Sequence, residues 1–146
     1  MRIAKQCKVY QDIKKASQFC GVFLKGKFMI NQVRIMLYVD DVIKISKFWQ
    51  DKLAGKVIAT EVLPDGSQNI ILQLTRDVQL SLFSKEFIKK FSPEVITNHP
   101  SLMIFTTNFE ELHQKLAAQT EIMKINQTET FNFQDPEGNY FVIAKK

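Results

Sequence analysis

Cysteine is nearly absent from this 146-residue chain, and both of its cysteines, Cys7 and Cys20, lie within the first 28 residues. Residues 29–146 can therefore form neither a disulfide framework nor a cysteine-based zinc site, which fits the cytoplasm. Only five glycines are present, too few to favour a glycine-rich phosphate loop. No apolar run approaches the roughly 20 residues that cross a bilayer, so we expect no membrane partner.

The net charge of +5 is unevenly distributed along the chain. Residues 1–28 contain seven lysines and arginines against one aspartate, so they carry +6 and residues 29–146 carry −1. A basic domain could indicate nucleic-acid binding. Because the charges after residue 28 are mixed and nearly balanced, we expect no nucleic-acid partner.

Residues 1–28 differ from the rest of the chain and are interpreted as an N-terminal extension. Their apolar patch "FCGVFL" is shorter than the core of a signal peptide and no cleavage motif follows it, so secretion is not expected. One interpretation gives the extension a short helix over Tyr10–Phe23. The other takes Met29 as the natural first residue and residues 1–28 as translated leader. The domain itself is expected at residues 29–146.

From residue 33 the chain follows the order β-α-β-β-β. The strand "VRIMLYVDD" is apolar on both faces, so we expect it to be buried on both. Asp41 caps the following helix and Gly55 ends it. Three strands follow, "KVIATEVL", "QNIILQL" and "VQLSLFS", with a hairpin signal at Asp65 and Gly66.

After a polar connection of 15 residues, 85–99, the same order restarts. Asn108 is the expected cap of the second helix, 67 residues after Asp41, and Ser101 is 67 residues after Arg34. This spacing predicts an α+β fold of two tandem βαβββ modules, about residues 32–84 and 100–146. The alternative is an unrelated α+β domain in which the spacing is a coincidence.

The segments "YVDD", "KISKFWQDKLAGK" and "FQDPEGNYFVI" occur in an order that resembles the vicinal oxygen chelate superfamily, also called the glyoxalase/bleomycin resistance/dioxygenase superfamily. The resemblance covers about residues 30–146. It implies that each module forms a curved sheet and that two modules enclose a cleft. It also implies a homodimer, with the cleft built within one chain or between two.

In metal-dependent members of this superfamily, His, Gln or Glu side chains on four strands hold a divalent ion. The resemblance places the equivalent positions at Arg34, Ser81, Ser101 and Val142. Arginine remains cationic, serine is a weak ligand and valine offers no donor, whereas a metal site needs three or four donors. We therefore expect neither a metal site nor another cofactor.

A different register would offer another set of donors. His99 shares the strand parity of Ser101, and Glu61 and Glu129 lie on other strands. One histidine and one glutamate do not make a convincing site, so we interpret His99 as a residue at the edge of the strand. His113 is interpreted as structural, on the second helix.

If Arg34 faces the cleft, strand alternation identifies the other side chains that line it. The expected ligand-binding residues are Arg34, Met36, Tyr38, Ser81, Phe83, Ser101, Met103, Phe105 and Val142, with Gln79, Tyr140 and Ala144 beside them. Such a lining suits an organic ligand with a flat or apolar body, and Arg34 could bind its carboxylate or phosphate. The alternatives are that the Met and Phe side chains only fill space and that Arg34 pairs with an acid of its own chain.

No catalytic constellation is visible in residues 29–146. The sequence therefore favours a metal-free binding protein that sequesters or senses an apolar or anionic organic molecule. The alternative is a lyase, isomerase or dioxygenase of the same superfamily with an atypical metal site. The ligand itself is not identified by the sequence.

Overall fold

The structure, a computed structural model, describes residues 29–116 and 120–146. The N-terminal extension, including the predicted Tyr10–Phe23 helix, lies outside the described residues. The fold is that of residues 32–146, which form one compact unit. Within the described residues, no helix has the length and apolar character needed to cross a membrane.

The first module is a four-stranded mixed sheet with one helix. Its strands run in the order β1-β4-β3-β2, with β1 parallel to β4 and the other neighbours antiparallel. The elements are β1 (Val33–Val39), α1 (Val42–Leu53), β2 (Lys56–Val62), β3 (Gln68–Gln73) and β4 (Val78–Ser84).

The connection between the modules contains a helix that the sequence analysis missed. Helix α2 (Lys85–Phe91) follows β4 directly, and a single 3-10 turn (Pro93–Val95) comes after it. The Ser84 hydroxyl caps α2 by accepting a hydrogen bond from the Phe87 backbone N–H. Because α2 is short, its apolar pattern was too brief to distinguish it from a polar loop.

The second module repeats the first. Its strand order is β5-β8-β7-β6, again with the first strand parallel to the last. The elements are β5 (Met103–Thr106), α3 (Phe109–Lys115), β6 (Met123–Ile125), β7 (Thr128–Gln134) and β8 (Tyr140–Lys145). The prediction of two βαβββ modules is confirmed.

The two helix starts show how closely the modules correspond. Asp41 caps α1 by accepting a hydrogen bond of 2.9 Å from the Lys44 backbone N–H. Asn108 occupies the equivalent position before α3, but its side chain makes no capping bond. Its backbone N–H instead donates to the Thr106 hydroxyl. The position of the second cap was predicted correctly and its hydrogen bond was not.

The end of α1 differs from the expectation. Ala54, not Gly55, takes the left-handed conformation that ends the helix, with φ of 55°. Gly55 is needed for space, because a Cβ atom there would lie 3.3 Å from both Leu72 Cδ2 and the Trp49 carbonyl oxygen. The glycine therefore allows the chain to pass close to the helix and β3.

Strand β1 is buried on one face only, which corrects the prediction that both faces are buried. Leu37 and Val39 are almost fully buried against α1, whereas Met36 on the opposite face is 52% exposed. The same division holds in the second module, where Phe131, Phe141 and other core residues share the face that packs against the helices. The opposite face of each sheet is the surface that the sequence assigned to the cleft.

A single hydrophobic core joins the two modules. Trp49 on α1 is 1% exposed, and its ring lies 5.3 Å from that of Phe141 and 6.4 Å from that of Phe133. Trp49 is therefore a residue of the hydrophobic core. Both phenylalanines belong to the second module, so the first helix packs against both sheets.

A buried carboxylate adds a polar connection at the same junction. Glu137, in the turn before β8, accepts hydrogen bonds of 2.8 Å from the backbone N–H groups of both Asp40 and Asp41. Its side chain is only 10% exposed. These N–H groups stand immediately before α1, where the helix dipole favours a negative charge.

Candidate functional site

The first candidate surface is the open face of the β1–β4 sheet, called here the module-1 face. The register places Arg34 beside Gln79, Met36 beside Ser81 and Tyr38 beside Phe83. Neighbouring residues in register point to the same side, so these six side chains share the face. Helix α2 extends it, because the Phe83 ring stacks on that of Phe87 with 6.0 Å between centroids.

A row of hydrogen bonds crosses the module-1 face from Arg34. Its Nε and Nη2 atoms donate to the side-chain oxygen of Gln79 at 3.0 and 2.8 Å. Gln79 in turn donates to the Gln73 side-chain oxygen at 2.9 Å, and Gln73 donates to backbone carbonyls of the β3–β4 turn. The row holds the guanidinium group in one orientation.

A second row lies beside the first. The buried Ser81 hydroxyl donates to the Asn69 side-chain oxygen at 2.8 Å, and Asn69 donates to Glu61 at 3.2 Å. Ser81 and Asn69 are 1% and 3% exposed, so the hydroxyl is fully engaged inside the sheet. Ser81 thus supports the face more than it presents a group to a ligand.

The partner of Arg34 decides between the two interpretations of its charge. Within residues 29–116 and 120–146, no carboxylate lies within 4.0 Å of its guanidinium group, and the partner it has is the neutral amide of Gln79. The positive charge is therefore oriented but not neutralised by these residues.

The second candidate surface is the open face of the β5–β8 sheet, called here the module-2 face. Met103 lies beside Val142, and Phe105 lies beside Ala144. Met103 and Phe105 are 52% and 59% exposed, and Tyr140 is 57% exposed. Such a concentration of exposed apolar side chains on one sheet is typical of a surface that binds a ligand or a partner.

Ser101 lies just before β5 and not within it, which corrects its placement on the strand. It still lies close to the module-2 face, because a shallow cavity of about 400 Å³ brings it together with Met103, Tyr140 and Val142. Neither this cavity nor the larger one described below is lined by Arg34 or Ser81. The predicted residues therefore divide into two groups, one on each sheet.

The four positions of a superfamily metal site do not supply a donor set. Arg34 is cationic, the Ser81 hydroxyl already donates within the sheet, Ser101 precedes its strand and Val142 is aliphatic. Across the part of the chain that the structure describes, no three His, Cys, Asp or Glu side chains cluster as a metal site would require. The residues present do not fit a divalent ion.

The alternative donors are separated and engaged elsewhere. His99 is exposed, with its ring 5.6 Å from that of Phe141. Glu61 accepts from Asn69 on the first sheet, whereas Glu129 forms an ion pair of 3.0 Å with Lys145 on the second. A shifted register therefore does not assemble a site from these three residues.

A larger cavity, of about 530 Å³, was not expected from the sequence. It lies between the β3–β4 turn and strand β5, and most of its lining is apolar, including Ile35, Trp49, Leu53, Leu102 and Ile104. These residues are separated in sequence and meet only through tertiary packing, so no local pattern could have revealed the cavity.

A comparison of the sequence with family models identifies the family of the chain. The family model of the Glyoxalase/Bleomycin resistance protein/Dioxygenase superfamily matches residues 31–143. The chain belongs to this superfamily. The match covers both modules and confirms the resemblance inferred from the sequence motifs. A search of curated proteins gave no match.

Solved structures with a similar fold include an enzyme and an antibiotic binding protein. The lactoylglutathione lyase from Agrobacterium tumefaciens is 15% identical, with a TM-score of 0.61 over 77% of this chain and 91% of that one. TnmS3, an antibiotic binding protein from Streptomyces sp. CB03234, is 16% identical, with a TM-score of 0.66 over 82% of this chain and 98% of that one.

A superfamily member from Sphaerobacter thermophilus is 14% identical, with a TM-score of 0.65 over 79% of this chain and 96% of that one. At these identities the likeness shows the fold alone, because one fold supports many functions. The function must be argued from the site.

Proposed function

We propose that this chain is a metal-free member of the superfamily that binds a small organic molecule, apolar or anionic, and so sequesters or senses it. The observation that carries the proposal is Arg34. The resemblance to the superfamily assigns it to the position of a metal ligand, and it presents an oriented positive charge without an acidic partner in the described residues.

The chemistry of the two faces supports this proposal. Both combine aromatic and methionine side chains with few charges, a composition that suits a flat or apolar ligand body. The proposed ligand-binding residues are Arg34, Met36, Tyr38, Phe83, Ser101, Met103, Phe105 and Val142, with Ser81 supporting the face from within the sheet. TnmS3, an antibiotic binding protein, shares the fold and gives the proposal a structural parallel.

A homodimer forms part of the same proposal. Met36 on the module-1 face and Met103 on the module-2 face are both 52% exposed in the single chain. Pairing two copies so that the module-1 face of each meets the module-2 face of the other would cover both and build two equivalent clefts. Analytical ultracentrifugation tests this pairing, and a monomer at micromolar concentration would contradict it.

The direct test of binding is a thermal-shift screen of aromatic carboxylates, neutral aromatic compounds and antibiotics, followed by calorimetry. A ligand that binds only the folded state raises the unfolding temperature. The change Arg34→Ala should weaken an anionic ligand by about 1.5–3 kcal/mol, because a charge-assisted hydrogen bond is lost. Arg76→Ala is the matched control, since the Arg76 side chain is 95% exposed in the β3–β4 turn. Equal losses in both variants would contradict the role of Arg34.

The competing function is a lyase, isomerase or dioxygenase with an atypical metal site. Metal analysis of protein purified from its native source without chelators separates the two. A stoichiometric divalent ion that survives dialysis and is lost on substitution of Ser81 or Ser101 would favour the enzyme.

We also propose a cytoplasmic location, on the absence of cysteine after residue 28.

A further inference from the structure

In the row of hydrogen bonds on the module-1 face, the donor and the acceptor of each bond are fixed. The row begins at the β3–β4 turn, where the Gln73 amide nitrogen donates to the backbone carbonyls of Thr75 and Arg76. A carbonyl oxygen can only accept, so the Gln73 side-chain oxygen must point toward Gln79. Gln79 then donates through Nε2 and turns its own oxygen toward Arg34. The turn backbone thus fixes both amides.

This direction determines which part of Arg34 is occupied. The Gln79 oxygen accepts from Nε and from one N–H of Nη2, so it covers one edge of the guanidinium group. The edge formed by Nη1 and the second N–H of Nη2 has no acceptor among residues 29–116 and 120–146. That edge has the spacing that matches the two oxygens of a carboxylate or a phosphate.

Gln79 is well suited to orient the guanidinium group because it carries no charge. It is 6% exposed, so water competes little for its amide. A glutamate of the same length would also bind Arg34, but it would neutralise the positive charge at the place where an anion should bind. The amide therefore provides orientation and leaves the charge available.

We propose that the ligand of this face carries a carboxylate or a phosphate that binds the Nη1/Nη2 edge of Arg34, and that Gln79 is the residue that determines this specificity. The inference rests on the proposed small-molecule function and specifies the chemistry of the ligand. It assigns Gln79 the role of a positioning residue, with Gln73 fixing its orientation.

The experiment compares three probes with the same aromatic body: 2-naphthoate, 2-naphthyl phosphate and the neutral 2-naphthamide. Their affinities for the full chain are measured by calorimetry. The wild type should prefer at least one anion over the amide by about 10- to 100-fold, the range expected for a charge-assisted pair. The preferred anion identifies which of the two oxyanions fits.

Gln79→Glu should abolish that preference while leaving the shape of the residue unchanged. Gln68→Glu is the matched control, because Gln68 is exposed on β3 and the same charge is added away from Arg34. The Gln68→Glu variant should keep the wild-type preference for an anion over the amide. Gln79→Leu removes the orientation but not the charge, so it should lower the preference only in part. It should also speed hydrogen exchange at Arg34 Nε, seen by NMR.

The outcomes separate the inference from the function on which it rests. If Gln79→Glu keeps the wild-type preference, the inference is wrong and small-molecule binding stands. If the wild type binds all three probes equally, the inference is again wrong. If no probe binds and the wider screen also gives no ligand, the proposed function fails together with the inference. Urea unfolding of each variant identifies any loss of fold. If Gln79→Glu does not fold, the inference is decided by the affinities of Gln79→Leu and by hydrogen exchange at Arg34 Nε in that variant.

Discussion

The junction built by Glu137 gives the most direct prediction from this structure. Glu137→Ala removes a carboxylate that accepts two backbone hydrogen bonds of 2.8 Å. The donors, Asp40 and Asp41, lie 97 and 96 residues earlier in the sequence. The carboxylate also lies 3.9 Å from the Lys85 ammonium group. The substitution therefore removes charge-assisted bonds, an interaction with the start of α1 and a link between the modules.

The size of the effect follows from these bonds. A hydrogen bond to a charged group contributes about 1.5–3 kcal/mol, and a negative charge at a helix start adds about 0.3–1 kcal/mol. Because Asp40 and Asp41 are exposed, water can replace part of the loss. We expect Glu137→Ala to lower the free energy of unfolding by about 2–4 kcal/mol. Glu137→Gln keeps one acceptor oxygen and should lose about half of that.

Urea unfolding followed by circular dichroism measures this loss. Glu94→Gln is the control, since Glu94 is an exposed carboxylate away from the junction. A free energy of unfolding for Glu137→Ala within about 0.5 kcal/mol of the wild type, the range of an ordinary surface substitution, would refute the reasoning.

Two further predictions concern the rest of the fold. Gly55→Ala should destabilise the domain by about 1 kcal/mol or more, because its Cβ would lie 3.3 Å from the Trp49 carbonyl oxygen in a packed helix; unchanged thermal unfolding would contradict this. The pKa of Lys85 is raised above its ordinary 10.5, chiefly by its hydrogen bond to Asp40. A raised pKa means that the charged lysine stabilises the fold below pH 10.5, and that this stabilisation is lost as the pH rises through the pKa of the folded state. The difference in free energy of unfolding between the wild type and Lys85→Met, measured with urea, should therefore shrink above pH 10.5. A difference that does not change between pH 9 and 12, on either side of that ordinary pKa, would show that the charge of Lys85 plays no part.

Much of the fold was accessible from the sequence because its signals are local. The apolar run of β1 and the cap at Asp41 depend on residues within one element. The repeat of 67 residues between Asp41 and Asn108 then predicted the second module from the first. Helix α2 was missed because seven residues make fewer than two full apolar turns.

The details of the candidate site were less accessible because they depend on distant pairings. The sequence placed Gln79 beside the ligand, but nothing near it in sequence indicates that its amide holds Arg34, which is 45 residues away. The role of Glu137 depends in the same way on a contact across the two modules. The segment around it, "FQDPEGNYFVI", contributed to the family resemblance, but the function of Glu137 as a capping group was not visible there.

The hydrogen-bonded row on the module-1 face has a consequence for how binding should vary with acidity. Its members are one guanidinium group and two amides, so no carboxylate or imidazole belongs to it. A histidine or glutamate metal site, by contrast, loses its ion in acid when its ligands are protonated. If the proposed anionic molecule binds at Arg34, the pH at which its affinity declines should therefore report the acid dissociation constant of that molecule itself.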